Sequence, residues 1–441
     1  MKNPSQKFII NPGGKLQGTI RVPGDKSISH RAIMLGALAE NTTTINGFLA
    51  GEDTLATLAA FQTMGVPIKK SQHGQIIISG VGLYGLQVPD KPLYLGNSGT
   101  SMRLLTGLMA GQAFSVEMLG DESLSRRPMR RVTEPLAMMG AKIEMAGDKG
   151  TPPLKIQGGQ GLQGIDYTMP VASAQVKSCL LLAGLYANGT TCVTEPAPTR
   201  DHTERMLAGF GYVVKREGQR ICLQSGGKLQ GKSIEVPADI SSAAFFMVGA
   251  CIAQGSDILL KSVGINPTRI GIINILRQMG GNIDLLNQHE VGGEPVADIR
   301  VRASILHGIE IPKNQVPLAI DEFPILFIAA SCAEGKTVLT GAEELRVKES
   351  DRIKVMADGL QTVGIDATPT SDGMIIQGGQ IQGGVINSHG DHRIAMAFTI
   401  AALSAKNQII IEDCANVATS FPNFVDLAQI TGIDIQLVNS Q

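Results

Sequence analysis

The chain has 441 residues, 38 Lys+Arg against 39 Asp+Glu, 43% hydrophobic residues and 17% charged ones. That length predicts two domains or more, and the composition excludes intrinsic disorder. A net charge of −1 argues against a nucleic-acid partner, no apolar run reaches the ~18 residues of a membrane span, and MKNPSQKFIINPGG lacks the features of a signal peptide.

In chain order, LQGTIRV reads as a strand, SISHRAIMLGALAE as a helix, TTTINGF as a strand and EDTLATLAAFQTMG as a second helix. VPIKK and QIIISG follow as a hairpin, so the first stretch is βαβαββ. Its second helix ends on Gly65, and the same phrase of helix end, Gly and strand recurs at Gly140, Gly211, Gly280, Gly364 and Gly432. A glycine just past a helix end is the usual left-handed cap. A second phrase, a polar cluster followed by a helix of small and apolar residues, begins at Asp25, Asn97, Ser173, Asp239, Asp321 and Asp391. Both phrases return about every 73 residues. Six βαβαββ repeats are therefore predicted, each with an apolar, buried first helix and an amphipathic, solvent-facing second one.

The halves match as well: GGKLQGTIRVPGDKSIS (13–29) against GGKLQGKSIEVPADISS (226–242). This suggests duplication of a three-repeat half, with a junction near 226–240 and crossings at VPGD and VPAD. The six cysteines, at 179, 192, 222, 251, 332 and 414, contain no CxxC pair, and several lie in apolar runs. They are read as reduced core residues of a cytoplasmic, metal-free protein.

Chemistry is sought at helix N-termini, whose unpaired N–H groups attract anions. The first helices begin with Lys26, Ser27 and Arg31; with Asn97, Ser98, Gly99, Thr100 and Arg103; with Ser173, Gln175 and Lys177; and with Asp391, His392 and Arg393. The second helices add Arg126-Arg127-Pro128, Arg200-Asp201-His202 and Lys348-Glu349-Ser350-Asp351-Arg352. Taken singly these clusters also fit bland roles: Ser27, Ser173, Asp239 and Asp391 as N-caps, Lys26 as a solvated lysine, and VKESDRIKVMADGL as a charged surface helix. LGNSGTSMR lacks the ending of a Walker motif, and His30, His202 and His392 lack metal-ligand spacing. Together with Asp321-Glu322 at the head of the apolar FPILFIAASCA, the set suits acid/base chemistry on small phosphorylated substrates.

The motifs LQGTIRVPGDKSISHRA (16–32), LGNSGTSMRLL (95–105), DESLSRRPM (121–129), PVASAQVKS (170–178), RDHTERML (200–207), DEFP (321–324), RVKESDR (346–352) and GDHRIAMA (390–397) resemble those of the 5-enolpyruvylshikimate 3-phosphate synthase family, over essentially the whole chain. The resemblance implies an α/β (α+β) fold of two similar domains, each of three βαβαββ units in an inside-out α/β barrel, with the active site in a cleft between them. It assigns 24–238 to the first domain and 1–23 plus 239–441 to the second. It implies transfer of the enolpyruvyl group of phosphoenolpyruvate to the 5-hydroxyl of shikimate 3-phosphate, through a tetrahedral intermediate that then loses phosphate. No cofactor and no metal is implied, and a monomer is expected.

By the same resemblance, Lys26, Ser27, Arg31, Ser173, Ala174, Gln175, Arg200, Asp321 and Lys348 hold shikimate 3-phosphate. Lys26, Asn97, Gly99, Arg127, Gln175, Arg352, His392 and Arg393 hold phosphoenolpyruvate. Asp321 is the base for the 5-hydroxyl, and Glu349 with Lys26 handles the other proton. Two departures stand out: Ala174 offers only backbone where one branch has a serine, and Ser420 stands where that branch carries a lysine. Gly99 is expected to leave room for glyphosate, a mimic of phosphoenolpyruvate. The rivals are a UDP-N-acetylglucosamine enolpyruvyl transferase, which has a GAKNAALP-like start and a loop with a reactive cysteine, and a non-catalytic repeat scaffold.

Overall fold

A computed structural model describes residues 6–72, 74–146 and 150–439. By its contacts the chain divides into two compact units. The first domain runs from Gly24 to Val236 with Val291–Gly293, and the second holds the described residues up to Pro23 together with Pro237–Glu290 and those from Glu294 onward.

The first domain is built on helices α1 (Lys26–Leu38), α2 (Glu52–Thr63), α3 (Gly99–Ala110), α4 (Arg130–Met138), α5 (Ala174–Gly184) and α6 (His202–Gly209). The second is built on α7 (Ile240–Ile252), α8 (Gly271–Gln278), α9 (Phe323–Ser331), α10 (Arg352–Thr362), α11 (His392–Ala401) and α12 (Phe424–Thr431). The odd-numbered helices lie inside. In α9 every residue of FPILFIAAS is buried, and in α7 only Ile252 escapes full burial. Within the first domain α3 packs against α1 and α5; within the second α7, α9 and α11 pack pairwise. Each domain thus holds one continuous apolar core. Small residues set the approach of the helices: a Cβ on Gly107 of α3 would stand 2.1 Å from the Cys179 carbonyl oxygen on α5.

Sheets cover these helices. In five of the six repeats a parallel pair of strands continues into antiparallel strands, and in the second, third and sixth the buried helix joins the pair directly. All six glycines that the sequence marks as helix-ending have positive φ, from 84° at Gly65 and Gly211 to 114° at Gly432. In the fifth repeat only Lys336–Leu339, Met374–Gln377 and Asp366–Pro369 form a sheet. Its opening segment makes only isolated parallel bridges, His307 with Glu334 and Glu310 with Val338.

The repeats do not follow the chain in order. Gln17–Ile20, which the sequence reading opens the first repeat with, pairs in parallel with Asp257–Gly264 in the second domain. Its place beside Thr42–Asn46 is taken by Ser233–Glu235, also parallel. Gln6–Ile10 lies between Ile409–Glu412 and Ile435–Asn439 as the closing strand of the sixth repeat. The matching segments 13–29 and 226–242 are therefore equivalent pieces: each leaves a closing strand, forms an opening strand, and crosses to the buried helix of the other domain.

The reading of six reduced cysteines needs correction. Thr190–Thr194 and Arg220–Gln224 are antiparallel with Cys192 opposite Cys222, the Cα atoms are 4.1 Å apart, and the two residues form a disulfide. Thirty residues of sequence separate them, so no local spacing reveals the pair. A groove of about 410 Å³ over these strands includes Asp166, Lys215, Glu217 and Arg220 in its lining and none of the predicted site residues. The other four thiols are free, and burial pushes Cys332 up to about 11 and Cys251 and Cys414 up to about 12. Held protonated, these thiols are poor nucleophiles, unlike the reactive cysteine of the rival transferase.

Candidate active site

In the first domain the site residues gather at the N-terminal ends of the three buried helices. These ends are capped by Asp25, Ser98 and Ser173, whose side chains accept from the backbone N–H of Ile28, Ser101 and Val176. For Ser173 the capping role is real; for α1 it falls to Asp25, which leaves the Ser27 hydroxyl outside the cap. Lys26, partly exposed, is ion-paired to the buried Asp53 at the start of α2. Arg31 is buried and turned inward: Nε donates to Thr203 Oγ1 (2.7 Å), Nη2 to Ser178 Oγ (2.8 Å) and Nη1 to the Ser27 carbonyl (3.0 Å). It fixes Ser27 and the start of α6 rather than standing open to solvent.

Gln175 on α5 is clamped by α3. Its Oε1 accepts from Arg103 Nη1 at 2.6 Å, and its Nε2 donates to Thr100 Oγ1 at 3.1 Å. Gly99 faces the guanidinium groups of Arg103 and Arg127; a Cβ there would lie 3.1 and 3.2 Å from their Nη1 atoms. Gly99, Arg127 and Gln175 are thereby brought together, with Arg103 as the bridge. Asn97, Ala174 and Arg200 are each partly exposed. Lys177 departs from the sequence reading, which counts it among the anion donors: it is wholly buried between Glu195 (2.9 Å) and Glu204 (2.7 Å).

In the second domain everything turns on Arg352, at the first position of α10 and 1% exposed. Its Nε donates to Asp391 at 2.8 Å, and its Nη2 donates to Glu349 at 2.7 Å and to Asp391 at 3.2 Å. Its Nη1 lies 3.6 Å from Asp321. Burial alone would lower the Arg352 pKa, but Asp391, Glu349 and Asp321 outweigh it and hold the guanidinium firmly charged. Burial likewise pushes the Asp391 carboxyl up, and Arg352 overrides it and holds it below the usual carboxylate range. Asp391 also caps α11 through the Arg393 N–H and accepts from the Ser350 hydroxyl at 3.0 Å.

Around this pair, Lys348 Nζ bridges Glu344 (2.9 Å) and Asp321 (3.4 Å). Glu322 is buried, accepts from the Ser241 hydroxyl, and lies 3.9 Å from Arg393 and 3.8 Å from Arg269. His392, the first residue of α11, is buried as well. Asp321, Lys348, Glu349 and Arg352 are thus brought into one ion-pair network, with Arg393 at its edge. From sequence, Lys348 and Arg352 read as open cations at a helix start. Instead both are matched by Asp321, Glu349, Asp391 and Glu344, because a guanidinium as deeply buried as that of Arg352 requires counter-charges. Ser420 offers a buried hydroxyl that has no hydrogen-bond partner among the described residues.

Several supporting roles were not assigned from sequence: those of Asp53 and Glu195, of Arg103 as the clamp on Gln175, and of Asp391 as a carboxylate partner. For Asp53 a signal existed. It lies at the second-helix start, the region of the repeat that carries Arg127, Arg200 and Arg352, and in the first repeat that region is acidic.

Comparison with known proteins adds the rest. Residues 10–427 match the family model of EPSP synthase (3-phosphoshikimate 1-carboxyvinyltransferase). The 3-phosphoshikimate 1-carboxyvinyltransferases of Methylococcus capsulatus and Nitrosococcus oceani are similar to this chain at 68% identity (98% of each chain) and 70% identity (97% of this chain, 96% of that one). The solved EPSP synthase of Acinetobacter baumannii superposes with a TM-score of 0.89 at 58% identity, over 99% of this chain and all of the other. The enolpyruvyl transferase NikO of Streptomyces tendae, at 14% identity and a TM-score of 0.80 over the full length of both chains, shares the fold. The chain belongs to the EPSP synthase family.

Proposed function

We propose that the residue groups of the two domains act together on phosphoenolpyruvate and shikimate 3-phosphate. The chain is an enzyme of the shikimate pathway, a transferase that places a 1-carboxyvinyl group on 3-phosphoshikimate. What remains to be assigned is how its residues divide the work. The observation that carries the reading is the network around Arg352, because it places both predicted proton carriers of this domain, Asp321 and Glu349, on one guanidinium.

In this reading Asp321 takes the proton of the 5-hydroxyl as its oxygen bonds to C2 of phosphoenolpyruvate, while Glu349 and Lys26 deliver a proton to the methylene carbon. In the second step the C2–O bond to phosphate breaks with its electron pair, and the methyl carbon gives a proton back, leaving the enolpyruvyl ether. Ser173, the Ala174 backbone, Gln175, Arg200, Lys26, Ser27, Arg31 and Lys348 hold shikimate 3-phosphate. Asn97, Gly99, Arg127, Gln175, Arg352, His392, Arg393 and Lys26 hold phosphoenolpyruvate. The enzyme works without metal or cofactor, as a cytoplasmic monomer whose domains each close their own core.

Mixing the protein with phosphoenolpyruvate and either acceptor tests the assignment. Phosphate is released with shikimate 3-phosphate and not with UDP-N-acetylglucosamine; release with the nucleotide sugar alone, or none, overturns it. Gly99 gives a second test. An added methyl at 3.1–3.2 Å from two guanidinium groups displaces them by a few tenths of an ångström. Gly99→Ala therefore weakens inhibition by glyphosate about tenfold or more, the scale of an overpacking cost of about 1–3 kcal/mol. It also raises KM for phosphoenolpyruvate, with KM for shikimate 3-phosphate unmoved. An unchanged inhibition curve removes Gly99 from the phosphoenolpyruvate site.

A further inference from the structure

The buried ion cluster of the third repeat is not used by the reaction as set out above. Glu195, fully buried just past the strand Thr190–Thr194, receives four donors: Lys177 Nζ at 2.9 Å, Thr199 Oγ1 at 2.7 Å and Thr199 N at 3.2 Å on one oxygen, and Arg216 Nη2 at 2.9 Å on the other. Lys177 spans from there to Glu204 on α6 at 2.7 Å. One residue further along α5, Ser178 Oγ accepts from Thr203 Oγ1 at 2.7 Å and from Arg31 Nη2 at 2.8 Å. The segment from Glu195 to Glu204 is thus pinned at Thr199, Thr203 and Glu204. Arg200 lies within it, directly after the residue that Glu195 grips by both main chain and hydroxyl. Lys177 and Ser178 share α5 with Ser173, Ala174 and Gln175, and Arg31 shares α1 with Lys26 and Ser27.

We infer that Glu195 and Lys177 form a buried lock that positions Arg200 against α5, and that Glu195 and Thr199 are positioning residues for the anionic acceptor rather than for the chemistry. This rests on Arg200 being a ligand of shikimate 3-phosphate. Two oppositely charged residues with essentially no exposure are costly to hold unless each is well matched. Four donors on Glu195 meet that condition, and they fix the backbone on the N-terminal side of Arg200. The link is short-range, and among the described residues the side-chain contacts of Glu195 and Thr199 include none of the residues assigned to phosphoenolpyruvate. Loosening it therefore affects one substrate and not the other.

Steady-state kinetics on the full chain test the lock with Thr199→Val, which keeps the shape and removes the hydroxyl, beside Thr199→Ser, Glu195→Gln and Arg200→Ala. Thr199→Val and Glu195→Gln raise KM for shikimate 3-phosphate about tenfold, the scale of one lost hydrogen bond to a charged group. In both, kcat and KM for phosphoenolpyruvate stay within about twofold, and Thr199→Ser returns KM to near the parent value. Arg200→Ala raises the same KM by more. A lower melting temperature without this split between the two KM values would show a structural role only and overturn the inference. If Arg200→Ala raises KM while Thr199→Val and Glu195→Gln leave it alone, the lock fails and the site reading stands. If Arg200→Ala changes nothing, both fall. Should one variant not fold, the other is read in the same way.

Discussion

Replacing Asp321 by Asn lowers kcat by at least about 10²-fold, with binding of both substrates largely retained. The substitution keeps size and shape, so the partners are the ones to examine. Asp321 sits just before α9, whose body is buried along its whole length, so the backbone at this point cannot drift. Its carboxylate lies 3.4 Å from Lys348 and 3.6 Å from Arg352. An amide there still sets an oxygen near both cations but cannot take a proton from a hydroxyl. Glu349→Gln removes the second proton carrier with similar effect, while its amide oxygen can still accept from Arg352. Presteady-state measurement of the chemical step with saturating substrates separates turnover from binding. A variant within tenfold of the parent in kcat would exclude Asp321 as the base.

The second large effect is on stability. Arg352→Met leaves Asp391, which is fully buried, without its counter-ion and Glu349 without its donor. Breaking a buried pair by removing one partner costs about 3–5 kcal/mol. For a domain of this size that lowers the melting temperature of the second domain on the order of 10 °C. The pH dependence carries the sign. In the parent, the Asp391 carboxyl is held below its ordinary value. Its stabilisation is therefore complete above the unfolded pKa of about 3.9 and is lost as pH falls through the lower folded value. Without Arg352, burial and the neighbouring Glu349 push that carboxyl up, so the sense reverses. The variant is least stable relative to the parent at neutral pH, and the gap narrows as acid protonates Asp391. Calorimetric melts from pH 7 to pH 4 read this directly, and Arg352→Met/Asp391→Asn recovers part of the loss. A gap that is independent of pH would show that Asp391 is not the residue left uncompensated.

What the sequence reveals and what it hides follow from range. Gly65, Gly140, Gly211, Gly280, Gly364 and Gly432 are legible because a left-handed helix end is a local requirement, and all six have it. The buried helices are legible because FPILFIAAS has no polar face to expose. The motifs place Asp321, Glu349 and Arg352, and the structure joins them. Partnership across the fold is not legible. Nothing near Lys177 announces that Glu195 and Glu204 will enclose it, so it reads as an open cation. Arg352 reads the same way, although three carboxylates surround it. Cys192 meets Cys222 only through the register of two strands. Gln6–Ile10 finds its neighbours about 400 residues away, at a distance no periodicity reports.

That last placement has a consequence for the order of assembly. The first domain is almost one continuous stretch of chain, so its core can close before synthesis of the rest is finished. The second cannot. Gln6–Ile10 and Gln17–Ile20 leave the ribosome before the first domain does, yet their partners, Asp257–Gly264, Ile409–Glu412 and Ile435–Asn439, emerge only after it. During translation these early strands have open edges, and the domain that holds Asp321 and Arg352 waits for their later partners. Asp321 and Glu349, the proposed proton carriers, thus lie in the domain that closes after the other.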